Sequence, residues 1–123
     1  MRRRWPVSLV LLIAMLGAAT SCSTWRGARL YQSGTRALEA GETDRALAEL
    51  REAARLVPQA SEIQNHLGLA WLAAGEPERA RESFERALEL DCDNRAARAN
   101  LDALGAGAQA PAAAANVSGR EAP

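Results

Sequence analysis

The stretch LGLAWLAAGEPERARESFERALEL, Leu67–Leu90, carries two helical patterns divided at Gly75-Glu76-Pro77. Upstream of the division, Ile63, Leu67, Ala70, Trp71 and Ala74 recur at the three- and four-residue spacing of one helix face. Ser61 with Gln64 spells a capping box at its start. Gly75 suits the left-handed position that ends a helix, and Pro77 suits the first turn of the next, where its missing N–H costs nothing. Downstream, Ala80, Phe84, Ala87 and Leu88 share one face, and Glu82 and Arg86 are placed to pair one turn apart on the other. Gly68 stands inside the first pattern, where glycine costs about 1 kcal/mol relative to alanine.

The same layout occurs once earlier in the chain, at a constant offset. GETDRALAELREAARLVP from Gly41 overlies GEPERARESFERALELDC from Gly75, with Leu50 over Phe84, Pro58 over Cys92 and Gly34 over Gly68. The first copy runs through Leu30, Ala37 and Leu38 to Gly41, then through Ala46, Leu50, Ala53 and Ala54. Two antiparallel helices joined by so tight a turn must pack face to face. Gly34 against Ala46 and Ala53, and Gly68 against Ala80 and Ala87, remove the bulk that would hold the backbones apart. Trp71 and Phe84 then fill the remaining volume, so Trp71→Ala is expected to cost about 3–5 kcal/mol.

These residues resemble the tetratricopeptide repeat, a helix–turn–helix unit of about 34 residues. In the second copy Leu67-Gly68, Trp71, Gly75, Ala80, Phe84 and Ala87 fill the slots of that family's pattern. Gln64 replaces its first aromatic and Cys92 its proline. The first copy matches at Gly34, Gly41, Ala46, Ala53 and Pro58 and departs at Ser33, Ala37 and Leu50. The resemblance implies an all-α fold: one pair over 27–60, a second over 61–94 and a capping helix over 95–104, together a fragment of a right-handed superhelix. Asp93-Asn94 would cap that last helix, Leu101 and Leu104 would cover the second pair, and Arg95, Arg98 and Asp102 would face water. Repeat arrays generally need about three units for stability. Two pairs and a lid are therefore expected to be marginal alone, or helped by a partner or by self-association.

The ends of the chain read differently. MRRRWPVSLVLLIAMLGAATSC has three arginines, a short apolar run and small residues, the layout of a secretory signal. Its apolar run falls short of the roughly 20 residues of a membrane span. Ala19-Thr20-Ser21-Cys22 resembles the bacterial lipobox, with Ala19 where leucine is commoner. That resemblance implies a signal peptide over 1–21, a lipid on Cys22 and a spacer over 22–26. Ser23 rather than aspartate after the cysteine implies outer-membrane residence, facing the periplasm. A membrane anchor, or a secreted chain with a plain Cys22 thiol, are the alternatives. From Gly105 to Pro123 the chain is mostly small residues, too poor in large apolar groups to bury surface, and is expected to be disordered. Asn116-Val117-Ser118 spells a glycosylation sequon, which the lipobox makes a chance match.

Removing Arg2, Arg3 and Arg4 with the signal leaves twelve arginines against fifteen acids, a balance of −3. That is no footprint for nucleic acid, which asks for a basic patch or stripe. Catalysis needs groups in hydrogen-bond reach with matched pKa values. The chain has one histidine, His66, no lysine, and Cys92 as its only cysteine besides Cys22. A zinc site built of His and Cys needs about four ligands, and the sequence offers no such cluster. Glu76 and Glu78 flank Pro77 at a helix start, where negative charge favours the helix dipole. No enzyme, metal or cofactor is expected. Cys92 reads as an inert small residue, a thiol for another chain, or a disulfide partner of an unlipidated Cys22.

Binding is the class that remains. By the family resemblance, the first helix of each pair lines a concave groove for a protein partner, here through Tyr31, Thr35, Leu38, Asn65, His66, Leu69 and Leu72. Leu38, Leu69 and Leu72 would either hold an apolar segment of a partner or pack against the lid or tail. His66 would be a bystander or would make binding pH-sensitive. Some relatives grip a peptide carboxylate with lysine, asparagine and arginine. The corresponding positions here hold Tyr31, Thr35, His66, Ala96 and Asn100, so that clamp is absent. The expectation is a lipid-anchored adapter of the cell envelope serving pilus, secretion or other assembly, or else a self-associating structural subunit.

Overall fold

The computed structural model describes the backbone over 7–117 and side chains over 23–107. Five helices follow in order: α1 (Val7–Glu39), α2 (Thr43–Leu56), α3 (Ser61–Ala73), α4 (Pro77–Leu90) and α5 (Arg95–Val117). No strand occurs among the described residues. The boundaries repeat at one offset, Glu39 with Ala73, Thr43 with Pro77, Leu56 with Leu90, and Ser61 with Arg95. The fold is all-α, built of helical hairpins, with α1 on α2, α3 on α4, and α2–α3 and α4–α5 contacts joining them.

Each hairpin closes on a glycine. Gly41 and Gly75 both have φ of 76°, the left-handed region where a Cβ is penalised. Around Gly75, its N–H donates to Leu72 O at 3.0 Å and the Glu76 N–H to Trp71 O at 2.9 Å. Gly41 and Glu42 make the same pair of bonds to Leu38 O and Ala37 O. This double bond pattern satisfies carbonyls that the helix end leaves open. Pro77 then opens α4 where its missing donor is not needed.

Behind the turns the helices meet over small residues. Ala46, Ala53, Ala80 and Ala87 are completely buried, as are Leu50 and Phe84. An added Cβ at Gly34 would lie 2.8 Å from Leu50 Cγ, and one at Gly68 would lie 2.5 Å from Phe84 Cε1. The large residue of the second helix therefore occupies the place a side chain on the first would take. Burying such a side chain contributes about 1.5–3 kcal/mol, enough to offset glycine's cost inside a helix.

The structure corrects several expectations. Ser61 is the first residue of α3, not its cap, and Ala60 precedes it with no side-chain capping bond. The Ser61 hydroxyl instead donates to Ala87 O at 2.9 Å and accepts from Asn94 Nδ2 at 2.6 Å. Asn94 Oδ1 accepts from the Ala97 N–H at 3.0 Å, which caps α5. Arg86 pairs with Glu89 at 2.7 Å rather than with Glu82. Ala74 is exposed, because it lies at the turn beyond the packed face. Trp71 is half-buried against the core edge, so its indole is not a central filler.

The ends differ as well. Residues 23–26, expected to be a spacer, are part of α1, which is continuous from Val7 to Glu39. The capping helix does not stop at Leu104, and the segment expected to be disordered from Gly105 is helical to Val117. Its alanines favour helix, while Gly105, Gly107 and Pro111 within it oppose helix. The Cys22 side chain, the opening arginines and the last six residues lie outside the described parts. Among the described residues no helix is long and apolar enough to cross a membrane.

Candidate functional site

The residues expected to line a groove sit on α1 and α3, and the structure uses several of them to join repeats. Tyr31 meets His66 edge to face with ring centroids 5.2 Å apart and planes at 83°. His66 Nδ1 lies 2.9 Å from Glu62 O and 3.2 Å from the Tyr31 hydroxyl. A carbonyl can only accept, so Nδ1 carries the hydrogen and shares it between those two oxygens. One repeat on, Asn100 Nδ2 donates to Asn65 Oδ1 at 2.9 Å, joining α5 to α3. Asn65 is buried, which removes it from any partner-facing surface.

The remaining members divide by exposure. Thr35 is half-buried and turns its hydroxyl back to Tyr31 O at 2.8 Å. Leu38 packs against the core cluster of Ala37, Ala46, Leu50, Leu67 and Ala70 and is only partly open. Leu69 is half-buried. Leu72 is 37% exposed, near the end of α3. A shallow depression of about 310 Å³ is bounded by Tyr31, Gln32, Thr35, Arg36 and Glu39. Sequence reasoning missed Gln32, Arg36 and Glu39 here, since polar residues on a helix surface carry no periodic signal. It also missed the Asn65–Asn100 bond, although the two residues stand one repeat after Tyr31 and His66.

Electrostatics here are those of a solvated helix surface. Among the described residues five ion pairs, including Arg45–Glu42 and Arg45–Glu49 at 3.0 Å each, link side chains three or four positions apart. Burial, helped by the nearby Glu62 charge, raises the Tyr31 phenol above its usual range, and Thr35 opposes the shift. The Ser33 hydroxyl and the Arg45 guanidinium hold Glu49 below the usual carboxylate range against its desolvation. Among the described residues no three His, Cys, Asp or Glu side chains are grouped to hold a metal. Cys92 is exposed at the α4–α5 turn. The arrangement offers packing surface and hydrogen-bonding groups to a second macromolecule.

Stacked helical hairpins of constant length define a class of helical repeat protein whose exposed helices present a binding face. Residues 31–95 match the family described as Tetratricopeptide repeat, and the chain belongs to that family. It is 46% identical over 68 residues to the TPR repeat-containing protein PA4299 of Pseudomonas aeruginosa, covering 55% of this chain and 28% of that one. It is 39% identical over 57 residues to Heat shock protein STI1 of Saccharomyces cerevisiae, covering 46% of this chain and 10% of that one. The chain thus spans less than a third of either relative. The fold is that of a protein–protein interaction module.

Proposed function

We propose that this chain is a non-enzymatic adapter, held by a lipid on Cys22 at the outer membrane and facing the periplasm, that docks a protein partner in assembly of envelope machinery. The observation that carries the binding role is the open face of α1 and α3, where Leu72 is exposed beside half-buried Leu69. Leucine exposed next to polar groups suits an apolar segment of a partner, with Thr35 and the rim residues Arg36 and Glu39 giving direction. The anchor is supported by the lipobox resemblance at Ala19–Cys22 and by the continuity of α1, which would join the tether to the first repeat.

Photo-crosslinking in cells from a reactive residue at position 72, with mass spectrometry of the adducts, tests the docking. A reproducible foreign envelope protein supports the adapter and names its pathway. Adducts with the chain itself alone would replace it with a self-associating structural subunit. Leu72→Glu should abolish capture while leaving helical content unchanged. Cys22→Ser should release the chain from the membrane fraction, and retention there would end the lipid-anchor reading.

A further inference from the structure

Trp25 is the most exposed large apolar residue described, at 63%. The Arg29 guanidinium lies 4.9 Å from the centre of its ring. Trp25, Arg26, Arg29, Leu30 and Ser33 bound a furrow of about 280 Å³ along one side of α1. The orientation of that side is set by the opposite one. Gly27 is buried there, and a Cβ on it would overlap Val57 Cγ2, so α1 is seated against the end of α2. Residues two apart on a helix point to nearly opposite sides, so Trp25 and Arg29 are turned outward together.

α1 brings positive charge to this face, and the acids that approach it come from α2, Glu49 at Ser33 and Glu52 at Arg26. No acidic residue precedes Glu39 in the chain, while Arg26, Arg29 and Arg36 lie in α1. Glu52 is an acid within electrostatic reach of Arg26, and it is already bonded to Arg55 at 2.6 Å. The rest of the chain after Arg36 is net negative, with nine arginines against fifteen acids. Cys22 precedes Trp25 by three positions, Arg26 by four and Arg29 by seven, the spacing of a single helix face.

We infer that the Trp25–Arg26–Arg29 face of α1 seats on an anionic phospholipid surface, with the indole among the headgroups and the guanidinia on lipid phosphates. Indole is apolar in body and polar at one edge, which places it at the boundary between headgroups and acyl chains. Arginines flanking it reach phosphate while their stems cover the ring. The attraction falls off within a Debye length, so it acts only because this face lies beside the tether. The inference rests on the lipid at Cys22, and it adds an orientation: the first repeat lies against the membrane instead of hanging free from a flexible linker.

The test uses the full chain purified from the membranes of cells expressing it, with Trp5→Phe and Trp71→Phe leaving Trp25 as the only tryptophan. It is reconstituted into vesicles of phosphatidylcholine alone or of equal parts phosphatidylcholine and phosphatidylglycerol, some carrying lipids brominated near the headgroup. Flotation reports the anchor, and Trp25 quenching reports the seat. Strong bromine quenching and several-fold protection from acrylamide on anionic vesicles are expected. Both should fall to the zwitterionic level in the Arg26→Gln/Arg29→Gln variant, with far-ultraviolet circular dichroism unchanged. A chain that floats with both vesicles but whose Trp25 is equally open to acrylamide on each keeps its anchor and overturns the seat. A chain that floats with neither overturns the seat and the anchor together.

Discussion

The Tyr31 hydroxyl lies 3.2 Å from His66 Nδ1, and the same two positions one repeat later hold Asn65 and Asn100, joined at 2.9 Å. Successive first helices are therefore fastened at equivalent points by different chemistry. The second fastening is the more sensitive, because Asn65 is buried and its amide oxygen depends on Asn100. Asn100→Ala should cost about 1–3 kcal/mol, the penalty for a buried acceptor left without its donor. Tyr31→Phe keeps the ring contact and should cost only about 0.5–1.5 kcal/mol. Urea denaturation midpoints of the two variants measure the difference, and a larger loss for Tyr31→Phe would contradict it.

Gly68→Ala gains helix propensity but drives a methyl into the Phe84 ring. The overlap should win, with a net loss of about 1–3 kcal/mol. Phe84→Leu in the same chain should relieve the overlap, so a double-mutant cycle should show coupling of about 0.5 kcal/mol or more between the sites. Gly75→Ala makes a useful contrast. Nothing lies within 4 Å of a Cβ there, so its cost of about 1–2 kcal/mol would come from backbone strain alone and show no coupling to Phe84.

Trp71 lies at the core edge, with the Arg79 guanidinium 4.7 Å and the Arg51 guanidinium 5.9 Å from its ring centre. Part of the indole stays open to water. Trp71→Ala should therefore cost about 2–3 kcal/mol, below the range of a fully buried aromatic. A thermal melt reads this directly, and unfolding of the variant at room temperature would show that the indole contributes more than its burial suggests.

Acid should weaken the first hairpin through Glu49. Its folded-state pKa is lowered, so its contribution is present above the unfolded value and is lost as pH falls through the folded one. The stability gap between wild type and Glu49→Gln should be full at neutral pH and close below about pH 4, near the ordinary carboxylate range. Urea midpoints of both proteins at several pH values test the sign. A gap that widens in acid would reverse it.

What the sequence made legible was whatever repeats. The constant offset, the glycine turns and the small residues opposite Leu50 and Phe84 follow from local spacing and from the need to pack two helices closely. What it hid depends on distant partners. Ser61 looks like a cap until Ala87 O and Asn94, both far along the chain, claim its hydroxyl. Asn65 looks like a groove residue until Asn100 covers it. The extension of α5 is hidden for another reason: its alanines favour helix, but Gly105, Gly107 and Pro111 argue locally against it.

Gly34 and Gly68 have a third counterpart one repeat further on, and it is Asp102. In the first two repeats the bare backbone admits Leu50 or Phe84 of a second helix. On α5 a carboxylate stands in that place, exposed to water. Another helix laid there, from this chain or a neighbour, would meet added bulk and would strip solvent from a charge. Asp102 therefore keeps this face of α5 wetted and opposes the docking of a further helix at the place where Gly34 and Gly68 admit one.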